Sequence, residues 1–309
     1  GTAPDADDPD AETAEDADDT SEAEPESKES DLPIFNLLAK WSNETVDNEL
    51  PRGFEDRLDM LLHTRRSEIT AAVEDLAYSM KQDRDGFDNQ PGFLFFCMGY
   101  FASKLGREGF GITLVEKAIN QGAAYALSYL VLGRCYQQKR AHEKALINFK
   151  FANKLDPGLE EARLGIAEAH LSLKHDEEAL DYLAEQNFDV EENQVQSILL
   201  QSRALEKLDR LPVAVELLEQ TVDSCRSVRC TAACLFRLGK IKEKQQDVLK
   251  AIDLLEETVE SDPDHLEARF TLGRLYFQHK AVPLARKHLF YLTRNHPDSR
   301  WADKAHELI

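Results

Sequence analysis

The fold is decided by the 34 residues 126–159, ALSYLVLGRCYQQKRAHEKALINFKFANKLDPGL. Large side chains three and four residues apart predict one face of a first helix: Tyr129, Leu132 and Tyr136. The same spacing predicts a second helix: Ala145, Phe149 and Ala152. Pro157 ends that second helix, because proline has no amide hydrogen and disfavours helical angles at the residue before it. The segment therefore predicts a helical hairpin.

The same pattern recurs along the chain at a period of 34 residues. Identical residues at this separation are Gly99/Gly133, Ala118/Ala152, Leu238/Leu272, Gly239/Gly273, Ala251/Ala285 and Pro263/Pro297. One hairpin of this size cannot bury its own apolar face, so a fixed period predicts a stacked array of similar units that share a core.

Six copies of the pattern can be placed in register. We number them repeats 1 to 6 and count positions from the first residue of each: 92–125, 126–159, 160–193, 195–228, 232–265 and 266–299. Repeat 1 is degenerate, because it has Gly111 at position 20, where alanine is usual. Small residues at positions 8 and 20 predict a close approach of the two helices in each pair.

This pattern resembles the tetratricopeptide repeat (TPR) over about two thirds of the chain. The resemblance implies an all-α, right-handed α-solenoid of about six hairpins that binds peptides or proteins, and it implies no chemistry. It also implies that positions 2, 5, 9, 12 and 13 of each first helix face a concave groove.

The groove positions predict one apolar row and one mainly basic row. Position 5 is apolar in all six repeats: Phe96, Leu130, Leu164, Leu199, Phe236 and Phe270. Position 9 holds Tyr100, Arg134, Glu168, Arg203, Lys240 and Arg274, and position 13 adds Lys104, Lys207 and Lys244. These rows predict a protein or peptide partner that bears acidic and apolar side chains.

Two observations favour a structural reading of the basic row instead. Cations near a helix C-terminus are stabilised by the helix dipole, whatever binds nearby. Glu206 and Glu243 lie within a turn of the basic row and would cancel part of its field. Family members that hold a C-terminal carboxylate use Lys at position 5 and Asn at position 9, and this chain has neither, so we predict no co-chaperone clamp.

Charge and composition set the ends of the chain apart from the array. Residues 1–32 hold fourteen Asp and Glu against Lys28 alone, and the whole chain has a formal charge of -21. Such a segment buries too little apolar area to fold, so we predict a disordered acidic tail. It is read as a solubilising tether, as an interaction tail, or as an occupant of the groove.

Helical patterns flank the array on both sides. Residues 33–91 are predicted to be a helical capping region, with a short apolar face that includes Ile34 and Trp41. The alternative is that this short helix docks into a groove on another molecule. Residues 300–309, with Trp301, Ala305 and Leu308, are predicted to form a C-terminal capping helix.

The sequence gives no support for catalysis, so no enzyme activity, metal or cofactor is predicted. No phosphate loop or hydrolase motif is present, and no histidine forms a metal-type pair with cysteine. Nucleic acid is disfavoured as a partner by the net charge, and no apolar run is long enough to span a bilayer. Cys225, Cys230 and Cys234 are read as free thiols, with a Cys225–Cys230 disulfide as the alternative in an oxidising compartment. The compartment stays open, with the cytoplasm slightly favoured.

The sequence therefore predicts a non-enzymatic adaptor or scaffold that holds a protein segment in its groove and supports assembly of a multiprotein complex. The alternative is a structural or accessory subunit built permanently into a larger complex.

Overall fold

The structure is a computed structural model, and it describes residues 32–45, 49–81 and 91–309 of the 309-residue chain. These residues form sixteen α-helices and no sheet. The all-α prediction is therefore confirmed for the described part of the chain. Apart from Leu32, the acidic tail predicted for residues 1–32 lies outside it.

Three helices precede the repeats, and one follows them. The first three are α1 (Ile34–Ser42), α2 (Phe54–Thr64) and α3 (Arg66–Lys81). The twelve helices of the repeats are α4 (Gly92–Lys104), α5 (Glu108–Asn120), α6 (Ala126–Gln138), α7 (His142–Leu155), α8 (Glu160–Ser172), α9 (Asp176–Ala184), α10 (Glu191–Lys207), α11 (Leu211–Ser224), α12 (Val228–Lys244), α13 (Val248–Ser261), α14 (Leu266–Gln278) and α15 (Val282–Asn295). The last helix is α16 (Arg300–His306).

Every first helix of a pair ends in the same turn. The residue at position 15 adopts a left-handed conformation in all six repeats: Gly106, Arg140, Lys174, Asp209, Gln246 and Lys280. In each turn the amide of position 16 donates to the carbonyl of position 11, as Ala141 does to Tyr136 at 2.8 Å. This is the Schellman motif, which satisfies the last carbonyls of a helix and reverses the chain. The repeated turn places each second helix against its own first helix.

Small residues at positions 8 and 20 let the paired helices approach closely. A Cβ atom built on Gly133 would lie 2.5 Å from the ring of Phe149, and one built on Gly165 would lie 2.7 Å from the same ring. The Phe149 side chain of α7 therefore fills a slot between α6 and α8. Gly111 of the degenerate repeat has a similar role, since a Cβ there would lie 3.2 Å from the carbonyl oxygen of Gly99.

The flanking helices pack onto the two ends of the array. Helices α1, α2 and α3 all contact α4, the first helix of repeat 1. The apolar face of α1 is buried within the chain itself: Ile34, Leu37, Leu38 and Trp41. At the other end, the Trp301 ring of α16 lies 5.3 Å from the ring of Phe270 on α14.

Candidate protein-binding groove

The predicted apolar row is accessible in only part of the array. Phe96 and Leu130 are fully buried, and Leu164 is almost so, because these side chains form part of the core. Leu199, Phe236 and Phe270 are partly exposed. The ring of Phe236 lies 4.6 Å from the imidazole of His265, and Trp301 covers one side of Phe270. The prediction of an apolar strip open along all six repeats therefore needs correction, since its first three members present almost no surface to a partner.

Helix α2 explains the burial at the start of the row. Its Phe54 ring lies 6.5 Å from the ring of Phe96, at position 5 of repeat 1, and 5.6 Å from the ring of Phe93, at position 2. Phe54 itself is 3% exposed. Helix α2 thus lies across the first-helix positions that the family geometry assigns to the groove.

The acidic side chains of α2 contact the predicted basic row. Arg134 at position 9 of repeat 2 donates to Glu55 at 2.5 Å, and Lys104 at position 13 of repeat 1 donates to Asp59 at 3.0 Å. The hydroxyl of Tyr100 also donates to Asp59, at 2.6 Å. Burial and the Asp59 contact both raise the pKa of Tyr100 far above its usual value, so this phenol stays protonated. Tyr100 is fully buried and, like Phe96, belongs to the core.

In the last three repeats, carboxylates of the array itself pair with the basic row. Glu206 at position 12 of repeat 4 accepts from Arg237 and, at 3.0 Å, from Lys244. Glu243 at position 12 of repeat 5 accepts from Arg274 and, at 3.0 Å, from Lys240. Partial burial opposes ionisation of the two carboxyl groups, but these cations hold the pKa of each below its usual value. Both carboxylates are therefore charged at neutral pH and link neighbouring repeats.

The residue at position 12 explains why the cations of the first repeats pair with α2, whereas those of the last repeats pair with carboxylates of the array. Repeats 1 and 2 have Ser103 and Gln137 there, so they bring no carboxylate of their own to the cations at positions 9 and 13. Helix α2 supplies the missing carboxylates. The predicted partial cancellation by Glu206 and Glu243 thus takes the form of ion pairs that join repeat 4 to repeat 5 and repeat 5 to repeat 6.

Two other cations of the predicted site, Arg203 and Lys207, do not pair with Glu206 or Glu243. Arg203 at position 9 of repeat 4 is exposed and makes no ion pair with any residue that the structure describes. Lys207 at position 13 donates to the Leu171 carbonyl at 2.7 Å and to Asp176 at 3.0 Å, so it joins α10 to repeat 3. Glu168 interrupts the basic row at position 9 of repeat 3 and is partly exposed.

The accessible part of the predicted site therefore lies on three first helices, α10, α12 and α14. We name it the open groove face and define it by its partly or fully exposed members: Leu199, Arg203, Lys207, Phe236, Lys240, Lys244, Phe270 and Arg274. It combines partly buried apolar side chains with five cations. Two of these positions repeat the chemistry that binds α2, because Phe236 and Arg274 correspond by position to Phe96 and Arg134.

No group of three His, Cys, Asp or Glu side chains in the described ranges is arranged to hold a metal ion. All five cysteines are free thiols in the structure, including Cys225, Cys230 and Cys234. Burial raises the pKa of Cys234 to about 12, and the neighbouring thiols add to this effect, so Cys234 is not a reactive thiolate at neutral pH. None of the helices in residues 32–45, 49–81 and 91–309 combines the length and apolar composition of a bilayer-crossing segment.

Comparisons with known proteins agree with this architecture. Residues 244–305 match a family model described as a tetratricopeptide repeat. A tetratricopeptide repeat protein from Parabacteroides merdae ATCC 43184 is similar in structure, with a TM-score of 0.60 at 11% identity over 81% of this chain and 98% of that one. No curated protein sequence is significantly similar to this chain.

Two further solved structures show the same fold. One is of the APC/C hetero-tetramer Cut9-Hcn1, with a TM-score of 0.54 at 15% identity over 88% of this chain and 51% of that one. The other is PilW, a type IV pilus biogenesis factor, with a TM-score of 0.52 at 14% identity over 70% of this chain and 98% of that one. At these identities, the likeness concerns the fold alone.

The fold defines a helical-repeat protein, built from stacked helical hairpins. Residues 244–305 match the tetratricopeptide-repeat family model, and the helical hairpins of the whole array share the fold of solved tetratricopeptide-repeat structures. The resemblance read from the sequence is confirmed.

Proposed function

We propose that this protein is a non-enzymatic adaptor that binds a segment of a partner protein along the open groove face and supports assembly of a multiprotein complex. The observation that carries the proposal is the placement of α2. An acidic and apolar helix of the chain already occupies the equivalent face of repeats 1 and 2. Among the described residues, no such helix covers Leu199 or Phe236 of the open groove face, and α16 covers one side of Phe270 only.

The α2 contacts indicate what kind of segment fits. Phe54 packs on an aromatic ring at position 5, and Glu55 and Asp59 take the cations at positions 9 and 13. A partner segment with an aromatic or aliphatic side chain, followed within two turns by carboxylates, matches the same positions of repeats 4 to 6. Its carboxylates would meet Arg203 directly, and would share Lys240 and Arg274 with Glu243.

Helix α2 itself is not expected to leave its site. It buries Phe54, Leu58, Leu61 and Leu62, and each such side chain contributes about 1.5–3 kcal/mol when removed from water. Release of α2 would expose these four side chains to water and would therefore cost several kcal/mol. We assign α2 a structural role and assign partner binding to the open groove face.

Charge reversal on the open groove face tests the proposal. The intact chain and the variant Arg203→Glu/Lys240→Glu/Arg274→Glu are compared by affinity purification with mass spectrometry. Arg203→Glu alone is included, because Arg203 makes no ion pair with a described residue and its reversal leaves the fold intact. Arg286→Glu, on the exposed side of α15, is the matched control.

The adaptor proposal requires a partner that the intact chain and Arg286→Glu both capture. Arg203→Glu should capture less of this partner, and the triple variant should capture none. Normal capture by a triple variant with an unchanged circular dichroism spectrum would reject it. That result would favour the structural-subunit alternative, in which the groove is not used.

A further inference from the structure

A second interaction surface lies on α7, the second helix of repeat 2. Ile147, Phe151 and Leu155 follow each other at intervals of four residues and are 54%, 48% and 53% exposed. They form a stripe about 12 Å long on one helix face. The Phe151 ring stacks on Tyr129 of α6, with centroids 5.4 Å apart and planes 26° apart. The stripe is thus held in place, and it remains open to solvent.

The corresponding positions of the other repeats are mostly polar. Ile147, Phe151 and Leu155 occupy positions 22, 26 and 30. The corresponding residues of repeats 1, 3, 4, 5 and 6 are Thr113/Lys117/Gln121, Asp181/Glu185/Asp189, Glu216/Gln220/Ser224, Asp253/Glu257/Ser261 and Lys287/Tyr291/Asn295. Most of these residues are exposed, and Tyr291 is the single aromatic side chain among them. Repeat 2 alone is apolar at all three positions, although the backbone there is the same.

Clustered apolar side chains at a solvent-facing site are typical of a contact surface, whereas scattered ones need no explanation. Lysines border the stripe: Lys144, Lys150 and Lys154 are all exposed on α7. Lys150 lies close enough to His170 of α8 to help lower the pKa of that histidine, after the larger effect of burial. The single carboxylate of α7 is Glu143, at the start of the helix. The surface is therefore apolar and locally basic in a chain whose net charge is -21.

We propose that the α7 stripe docks an amphipathic helix of a second protein, with its apolar residues three and four apart and Asp or Glu on their flanks. The acidic flanks of such a helix are opposite in charge to the three lysines, which favours that occupant. A second copy of this chain would bring six lysines together across the interface, and a vesicle of anionic lipid would be opposed by the net charge of the whole molecule. Together with the open groove face, the stripe would let the protein hold two partners on opposite helices of its hairpins.

The test uses the full chain and a variant that gives repeat 2 the residues of repeat 5, Ile147→Asp/Phe151→Glu/Leu155→Ser. These positions are exposed, and the replacements already occur on the same backbone in α13, so the fold is kept. The matched control removes exposed apolar side chains elsewhere on the second helices: Leu249→Ser/Leu284→Ser/Phe290→Glu. Arg286→Glu, on the exposed side of α15 and outside both proposed surfaces, is a second control.

The probes are a labelled 14-residue helical peptide with Leu at three- and four-residue spacing and Glu on both flanks, its Lys-flanked counterpart, and phosphatidylglycerol vesicles. The proposal requires that the full chain binds the Glu-flanked peptide, as measured by fluorescence anisotropy. The affinity should be at least tenfold lower when the α7 variant replaces the full chain, and at least tenfold lower when the Lys-flanked peptide replaces the Glu-flanked one. The two control variants should bind normally. Four results would each overturn the proposal: equal binding of both peptides, no binding of either peptide, binding of the vesicles through the stripe, and dimerisation through the stripe in sedimentation velocity.

Discussion

Gly133→Ala is expected to destabilise the protein, although alanine is the better helix former. Alanine in place of glycine inside a helix gains about 1 kcal/mol on propensity alone. The new Cβ atom, however, would lie 2.5 Å from the Phe149 ring, which is closer than real contacts allow. The ring cannot retreat, because Gly165 of α8 closes the other side of its slot. Forced overpacking of a core costs about 1–3 kcal/mol, so after the propensity gain we expect a net loss of up to about 2 kcal/mol.

Gly239→Ala is the matched comparison, since Gly239 occupies the same position 8 in repeat 5. Its added Cβ atom would lie 3.1 Å from the flexible side chain of Leu255. The overlap is small, so we expect a change between zero and about 1 kcal/mol of stabilisation. The slot also predicts coupling: Phe149→Leu, the residue type of repeats 3 to 6 at this position, should relieve the cost of Gly133→Ala in a double-mutant cycle.

The assay is chemical unfolding of the full chain followed by far-UV circular dichroism, with amide hydrogen exchange of α6, α7 and α8 as a local readout. Exchange is needed because repeat arrays can unfold in parts. A Gly133→Ala protein as stable as the Gly239→Ala protein, with unchanged exchange in α7, would refute the reasoning about the slot.

Three further predictions concern stability. Glu55→Gln should cost about 1 kcal/mol and speed amide exchange in α2, because it removes the ion pair with Arg134; unchanged exchange would show that the position of α2 does not depend on this ion pair. Lys174→Gly should raise the midpoint of thermal unfolding slightly, since glycine avoids the cost of about 1–2 kcal/mol that a left-handed conformation imposes on other residues; a lower midpoint would contradict this. Burial, with Arg269 and Lys287 as smaller causes, lowers the pKa of His288 to about 4, so the folded state binds a proton less readily than the unfolded state. Stability should therefore fall as pH drops from about 6.5 towards 4, by about 2 kcal/mol at pH 5, and equal losses in His288→Leu and the parent chain would exclude this cause.

The repeat register could be predicted because it depends on local spacing. Position 20 carries a small residue in every hairpin, and the close approach that Gly133 predicted is present beside Phe149. The turns between paired helices cannot be predicted from the sequence in this way. Arg140 and Lys174 have side chains that do not favour left-handed angles, so no glycine marks these turns in the sequence. The turn is imposed by the Schellman hydrogen bonds and by packing of the two helices.

The groove was predicted less completely, because its first half depends on a contact between distant segments. Glu55 and Arg134 are 79 residues apart, and no local pattern joins them. The signal was nevertheless present, since α2 has acidic and apolar residues on one side, which is the chemistry predicted for a partner. Phe96 and Leu130 were assigned to the groove by position alone, and position could not show that they are buried.

The most direct measurement of the central proposal is hydroxyl-radical footprinting of the full chain with and without its captured partner. We expect Leu199 and Phe236 on the open groove face to lose labelling when the partner binds, while Leu249, exposed on α13, keeps its labelling. Unchanged labelling of Leu199 and Phe236 in a complex that has formed would contradict the account, because the partner would then bind elsewhere.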